Sequence, residues 1–202
     1  MIDNDLAKVR LHNLSDAIFA LTLVMMISNI EVPALNSDAD ISDFTQIIVS
    51  NMTNFGIFLL TFVVIAIYWI KHLELFSAIK EVNKSLIWYQ LIFMAFMLLL
   101  PITNLFVTLD SSNQIVLIVY SINLLAIGLM AWLSWRHLTL NPSQRYESID
   151  QKTSSEIAQD SLVEPVVAAL SIPAALISVV YWELCFILVP MAFALRKKYF
   201  KK

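Results

Sequence analysis

The chain has 202 residues, 59% hydrophobic and 14% charged, with 13 basic and 16 acidic side chains and a formal charge of −3. A soluble domain carries about 25% charged residues, and a chain of this length could not hide so much apolar surface, so an ordinary water-soluble globule is excluded. Cys185 is the only cysteine, which excludes an intrachain disulfide and a cysteine-cluster metal site.

In chain order, the apolar runs predict an all-α, polytopic membrane protein with six spanning helices: Ser15–Ala34, Phe44–Ile70, Ser85–Leu109, Gln114–Trp135, Leu162–Val180 and Tyr181–Leu195. The last two are short and nearly continuous, which suggests a tight hairpin. Arg136–Ser161 is the most hydrophilic stretch. It contains Asn141-Pro142 and reads as a linker too short to bury a core of its own. No internal repeat appears, so residues 1–202 form one six-helix unit. The N-terminus lacks the basic flank and small-residue cleavage site of a secretory signal, so the first helix is expected to remain in the mature protein.

The first span begins with an acid. From Ala17 to Ile30 the only polar residues are Thr22, Ser28 and Asn29, and Asp16 stands at the head of that run. A carboxylate near hydrocarbon costs several kcal/mol unless paired or wetted. Either Ser15 or Asp16 caps the helix N-terminus, where an acid also suits the helix dipole, or Asp16 belongs to an ion pathway. At roughly 100° per residue, Asp16, Phe19, Ala20, Leu23, Ile27, Ile30 and Ala34 share one face, with Ser15, Thr22 and Asn29 as a polar stripe beside it. Such a face fits a pore helix, whose aliphatics would make a dewetting constriction. Periodicity alone favours a helix packed on all sides, because most polar residues in membrane helices serve packing or interhelical bonds.

Further along, Trp69 and His72 precede a turn, and Trp88, Tyr89 and Gln90 follow it; aromatic residues at this depth belong to the membrane-interface belt. His72 could also bond to Asp16 or Ser15. Arg10 lies six residues before Asp16, so on a continuous helix the two do not face each other. All the bases fall in four places: Lys8 and Arg10; Lys71, Lys80 and Lys84; Arg136, Arg145 and Lys152; and Arg196, Lys197, Lys198, Lys201 and Lys202. With six spans these are all on one side, which the positive-inside rule makes cytoplasmic, with both termini there. The opposite side carries Glu31, Asp38, Asp40, Asp43, Asp110 and Glu183 and no base, a rim that would concentrate cations.

Enzyme chemistry is not expected, and no catalytic residue is assigned. His12, His72 and His137 have no metal-site spacing, and there is no nucleophile elbow or phosphate-binding loop. The two glycines, Gly56 and Gly128, cannot supply a carbonyl-lined T-V-G-Y-G filter.

These stretches together resemble the transmembrane protein 175 family, the lysosomal and prokaryotic potassium channels. The family signature, an Arg, three residues, then Phe-Ser-Asp, is matched by Arg10, Leu11-His12-Asn13 and Leu14-Ser15-Asp16, with Leu14 in place of Phe. Ala17-Ile18-Phe19-Ala20 and Ile30-Glu31-Val32-Pro33 follow. A second block runs from Tyr68-Trp69-Ile70-Lys71-His72 through Leu86-Ile87-Trp88-Tyr89-Gln90-Leu91 to Leu100-Pro101-Ile102-Thr103, with Gln90 where the family often has Asn. The resemblance covers roughly the first 105 residues.

It implies a prokaryotic single-repeat member: a homotetramer in the cell membrane, conducting potassium through a pore lined by the first helix of each subunit. The constriction then falls on Leu23, Ile27 and Ile30. Met26 stands where some members have a hydroxyl residue, leaving Thr22 as the nearest selectivity support. Arg10, Ser15, Asp16, Trp69 and His72 would form a structural and gating network at the cytoplasmic end. Breaking a buried pair there from one side would cost about 3–5 kcal/mol. The expected function is a passive, potassium-preferring cation channel; the alternative is a proton- or cation-coupled transporter with Asp16 and His72 as a relay, and a non-conducting scaffold is a third reading. No cofactor or metal beyond permeating potassium is expected, nor a nucleic-acid partner.

Overall fold

The computed structural model describes residues 4–27 and 41–186, apart from the side chains of 41–51, 53, 54, 57 and 60. The described residues are all-α: α1 (Asn4–Ile27), α2 (Ile41–Ala78), α3 (Lys84–Leu109), α4 (Gln114–Leu140), α5 (Gln151–Asp160) and α6 (Val163–Ile177), with a 3₁₀ turn at Pro142–Gln144 and helical backbone again at 179–186. Among the described residues five stretches are long and apolar enough to cross a membrane: Asn4–Ile27, Thr61–Ala78, Lys84–Leu109, Gln114–Leu140 and Gln151–Ile177. The protein is a polytopic membrane protein. Most of the expected sixth span, 181–195, lies outside the described residues.

The helix bounds depart from the apolar runs in three places. First, α1 starts at Asn4 and not at Ser15. Its polar first turns are helical because they dock: Lys8 donates its ammonium to the Ile79 carbonyl, and Asn4 Oδ1 accepts the Val82 N–H at 2.8 Å. Asp16 and Ser15 are therefore mid-helix and cannot be the N-cap. Second, α2 runs to Ala78, so Trp69, Lys71 and His72 lie within it and do not precede a turn. Its 38 residues span about 57 Å, nearly twice the roughly 30 Å of hydrocarbon, so it extends beyond the apolar layer.

Third, the expected linker 136–161 is ordered structure. α4 continues to Leu140, and α5 forms a ten-residue helix capped by Asp150, whose carboxylate accepts the Thr153 N–H at 2.8 Å. Ser154 and Ala158 of α5 are buried, Ile157 packs half-buried against the core, and the Ser154 hydroxyl lies 2.8 Å from that of Thr139. A span-length hydropathy reading misses such a short polar helix. α6 ends at Ser178, whose extended backbone (φ −167°, ψ 157°) separates it from 179–186.

α4 is central, packed against α3, α5 and α6, while α1 lies across α3 and α2. Asn83 and Asn113 cap α3 and α4 through their side-chain oxygens. At one end of the bundle the α2–α3 and α4–α5 connections clasp one another: Ile79 and Arg145 form an antiparallel bridge, and Lys80 donates its N–H to the Gln144 carbonyl at 2.8 Å. Between helices, Thr61 donates to Asn104 at 2.8 Å, and the Ser171 and Ser121 hydroxyls meet at 2.7 Å. Polar pairs of this kind join helices inside a membrane, where no water is available as the alternative partner.

Candidate functional site

Helix α1 divides cleanly into two faces. Leu11, Ser15, Phe19, Thr22 and Met26, spaced four, four, three and four residues apart, are buried against α3 and α2. The opposite arc is apolar and open: Ala17, Ala20 and Leu21 are exposed, as are Val24 at 63% and Ile27 at 61%. Of the expected constriction, Ile27 is exposed, Leu23 is half-buried against the core, and Ile30 lies outside the described residues. Phe19 leaves the expected pore face and enters the core. Thr22 is fully buried, and its hydroxyl donates to the Ile18 carbonyl at 2.8 Å; Ser15 does the same to Leu11 at 2.8 Å, with the Met94 sulfur 3.4 Å away.

Asp16 sits between these faces. Its carboxylate accepts the indole N–H of Trp69 at 3.2 Å, and the His12 imidazole lies 3.7 Å from its second oxygen. His12 is its i−4 neighbour on the same helix. Its ring in turn stacks on Phe76, with centroids 5.0 Å apart, and lies 6.4 Å from His72. His72 is buried among rings: Phe76 at 4.5 Å, Phe19 at 5.4 Å edge-on, and Phe93 at 5.9 Å, tilted by only 10°.

Of the expected network, α1 and α2 thus bring together Asp16 and Trp69, with His72 behind them. The direct bond from His72 to Asp16 or Ser15 is not formed, because His12 stands between. Arg10 is exposed, and on the unbroken α1 it points about 120° away from Asp16.

Two participants were missed by sequence reasoning. His12 was visible as an i, i+4 partner of Asp16, but only for a helix that starts before it. Glu164, in the first turn of α6, pairs with Lys71 of α2 in a largely buried contact; a partner 93 positions away leaves no local signal. Deeper still, the Gln90 amide nitrogen donates to the Ser134 hydroxyl at 2.8 Å, joining α3 to α4. Among the described residues no cluster of three or more His, Cys, Asp or Glu side chains could hold a metal ion.

Comparison with known proteins follows the same helices. Residues 10–101 match the family model described as the endosomal/lysosomal potassium channel TMEM175. A potassium channel from Chryseobacterium is 27% identical over 120 residues, 59% of each chain, and one from Streptomyces collinus is 23% identical over 134 residues, 64% of each. The chain therefore matches less than two thirds of the length of these relatives. In structure, it resembles a lysosomal potassium-selective channel TMEM175 homolog from Chamaesiphon minutus, with a TM-score of 0.76 at 19% identity, over 94% of this chain and 97% of that one.

Proposed function

We propose that this chain, whose sequence over residues 10–101 and whose fold over nearly its whole length both point to the TMEM175 family, is a passive, potassium-preferring cation channel. Four copies surround a pore lined by α1, and the chain acts as a conduit, not an enzyme. One observation carries the reading. The carboxylate of Asp16, with its side chain 45% exposed, opens onto the same side of α1 as exposed Ala20 and Ile27. Facing lipid, an acid there would cost several kcal/mol; charged groups within spans turn instead toward bundle interiors or water-filled cavities. A lumen shared between copies wets the acid and leaves the aliphatics to form the narrow part, with Leu23, Ile27 and Ile30 as the constriction and Thr22 behind them.

The relatives named as potassium channels support the choice of ion. Asp16, Trp69, His12 and His72 form the network that holds α1 to α2 at the cytoplasmic end, Ser15 is turned to α3 through Met94, and Arg10 of one copy is free to reach a neighbouring copy. The basic loops support a cytoplasmic side for that end and for both termini, in a protein of the cell membrane.

A second reading, proton-coupled transport or proton conduction, draws on the rings of His12 and His72 beside Asp16 and on a zebrafish relative named an endosomal/lysosomal proton channel, 20% identical over 181 residues. Reconstitution into liposomes with a potassium gradient separates the two. Ohmic potassium current independent of a proton gradient supports the channel. Saturable flux that stops when the proton gradient is collapsed overturns it.

A further inference from the structure

Between α2, α3 and α4 lies a small cavity of ≈ 20 Å³, walled by Lys71, His72, Gln90, Phe93, Trp135 and Ser161 among others. Two of these side chains carry a buried polar atom with no protein partner: His72 Nε2 and Gln90 Oε1. Both residues are almost wholly inaccessible, at 4% and 1% exposed. The orientation of the Gln90 amide follows from its neighbour. The Ser134 hydroxyl donates to the Met130 carbonyl at 2.8 Å, so only its lone pairs are left for Gln90, which must offer its nitrogen there at 2.8 Å and turn its oxygen elsewhere. That oxygen requires a donor. A buried amide or imidazole atom left without a bond costs about 1–3 kcal/mol, and native interiors rarely tolerate two in one place.

We infer that this cavity is a binding site for one structural water, which donates to Gln90 Oε1 and bonds to His72 Nε2. Water alone among simple occupants meets both needs, because it can donate to the amide oxygen while either donating to or accepting from the imidazole, whichever tautomer is present. The volume agrees, since a single water requires on the order of 10–15 Å³ by the same measure. A metal cation would find two neutral ligands where hard cations take six or more, beside the Lys71 side chain. An anion would face the Gln90 lone pairs. The water ties α2 to the α3–α4 pair through Gln90 and Ser134. It thereby holds the His72 ring in place behind Asp16 without a direct bond between them. This inference stands apart from the ion-conduction reading, since it concerns only the interior of one subunit.

The test is a structure of the full-length protein, by crystallography or electron cryomicroscopy, at a resolution that shows ordered waters. One peak within hydrogen-bond reach of both His72 Nε2 and Gln90 Oε1 is expected. Gln90→Met keeps the volume and removes the acceptor, and its structure should lose the peak. If that variant does not fold, the wild-type density decides alone. A dry cavity, the Lys71 ammonium occupying it, or an anomalous signal there from rubidium or bromide would each overturn the assignment.

Discussion

Trp69 and Asp16 meet across the α1–α2 interface, the indole N–H 3.2 Å from the carboxylate, at a position open enough that both side chains keep solvent contact. A half-exposed hydrogen bond is worth far less than a buried ion pair, which lowers the cost expected for a buried Arg10–Asp16 network. Asp16→Ala and Trp69→Phe should each destabilise the protein by about 0.5–1.5 kcal/mol. The double variant should lose no more than the worse single one. Thermal melts in detergent, read by size exclusion, would show this; a loss near 4 kcal/mol for Asp16→Ala alone would mean a stronger partner in a neighbouring copy.

Thr61 and Asn104 form a fully interior pair. Thr61→Val removes the hydroxyl that donates to Asn104 Oδ1, with both residues no more than 3% exposed. Interhelical bonds in membranes average about 0.6 kcal/mol and reach about 1.7, and this one should sit at the upper end because its acceptor is left orphaned. Replacing both partners, Thr61→Val with Asn104→Leu, should recover most of the loss. Additive losses in that double variant would show that the pair is not coupled.

Gly128 of α4 packs directly against Pro165 of α6. A Cβ there would lie 2.9 Å from Pro165 Cδ and 3.0 Å from its backbone nitrogen. Neither atom can rotate away, so Gly128→Ala must push the helices apart. Overpacking costs about 1–3 kcal/mol, and the better helix propensity of Ala returns at most about 1. A net loss on the order of 1 kcal/mol is expected; an unchanged or raised melting temperature would show that α6 yields freely.

The pore assignment predicts a pattern of thiol access. With Cys185 replaced by Ala, cysteines at Ile27 and Leu23 should be blocked by small cationic thiol reagents more readily than those at Phe19 and Met26, which are 2% and 0% exposed. Val24, at 63% exposed, separates pore from lipid: a cysteine there should be accessible only to membrane-permeant reagents. Equal modification at Val24 and Ile27 by a charged reagent would place the lumen elsewhere.

Asp150 should make α5 sensitive to acid. Hydrogen bonds from Thr153, its hydroxyl first and its backbone N–H second, hold the Asp150 carboxyl below the usual carboxylate range. A depressed folded-state pKa means that the cap stabilises α5 above the unfolded carboxyl pKa, about 4, and loses that effect as pH falls through the folded value. Hydrogen exchange in 151–160 should therefore quicken, relative to the rest of the chain, below about pH 4. In Asp150→Ala the pH step should vanish and exchange should be fast throughout. A step that persists in the variant would assign it to another carboxylate.

The parts of the fold legible in the sequence are those governed by hydrocarbon. The apolar runs at 85–109 and 114–135 are helical in α3 and α4, each opened by an asparagine cap beside a two-serine turn or a lysine. The first turns of α1 and all of α5 were not legible, because they are held by contacts of Lys8, Asn4 and Ser154 with distant backbone or hydroxyl groups, and no hydropathy window records those. At the site, Asp16 and Trp69 could be assigned to the same depth but not to the same contact. His12 was passed over because a helix starting at Ser15 gave it no face to share, and the Lys71–Glu164 contact depends wholly on how α6 returns to α2.

The unbroken rod of α1, pinned at Asn4 and Lys8 to the clasped connections, is a lever with its fulcrum at one end. Ile27 lies about 28 Å along the axis from Lys8, so a tilt of about 5° at the pinned end carries it sideways by about 2.5 Å. In a ring of four such rods that displacement would be repeated from every side, and the aperture would widen by about twice that amount along each diagonal. Small rearrangements around Lys8 and Ile79 would thus be magnified at the far end of the helix, at Ile27.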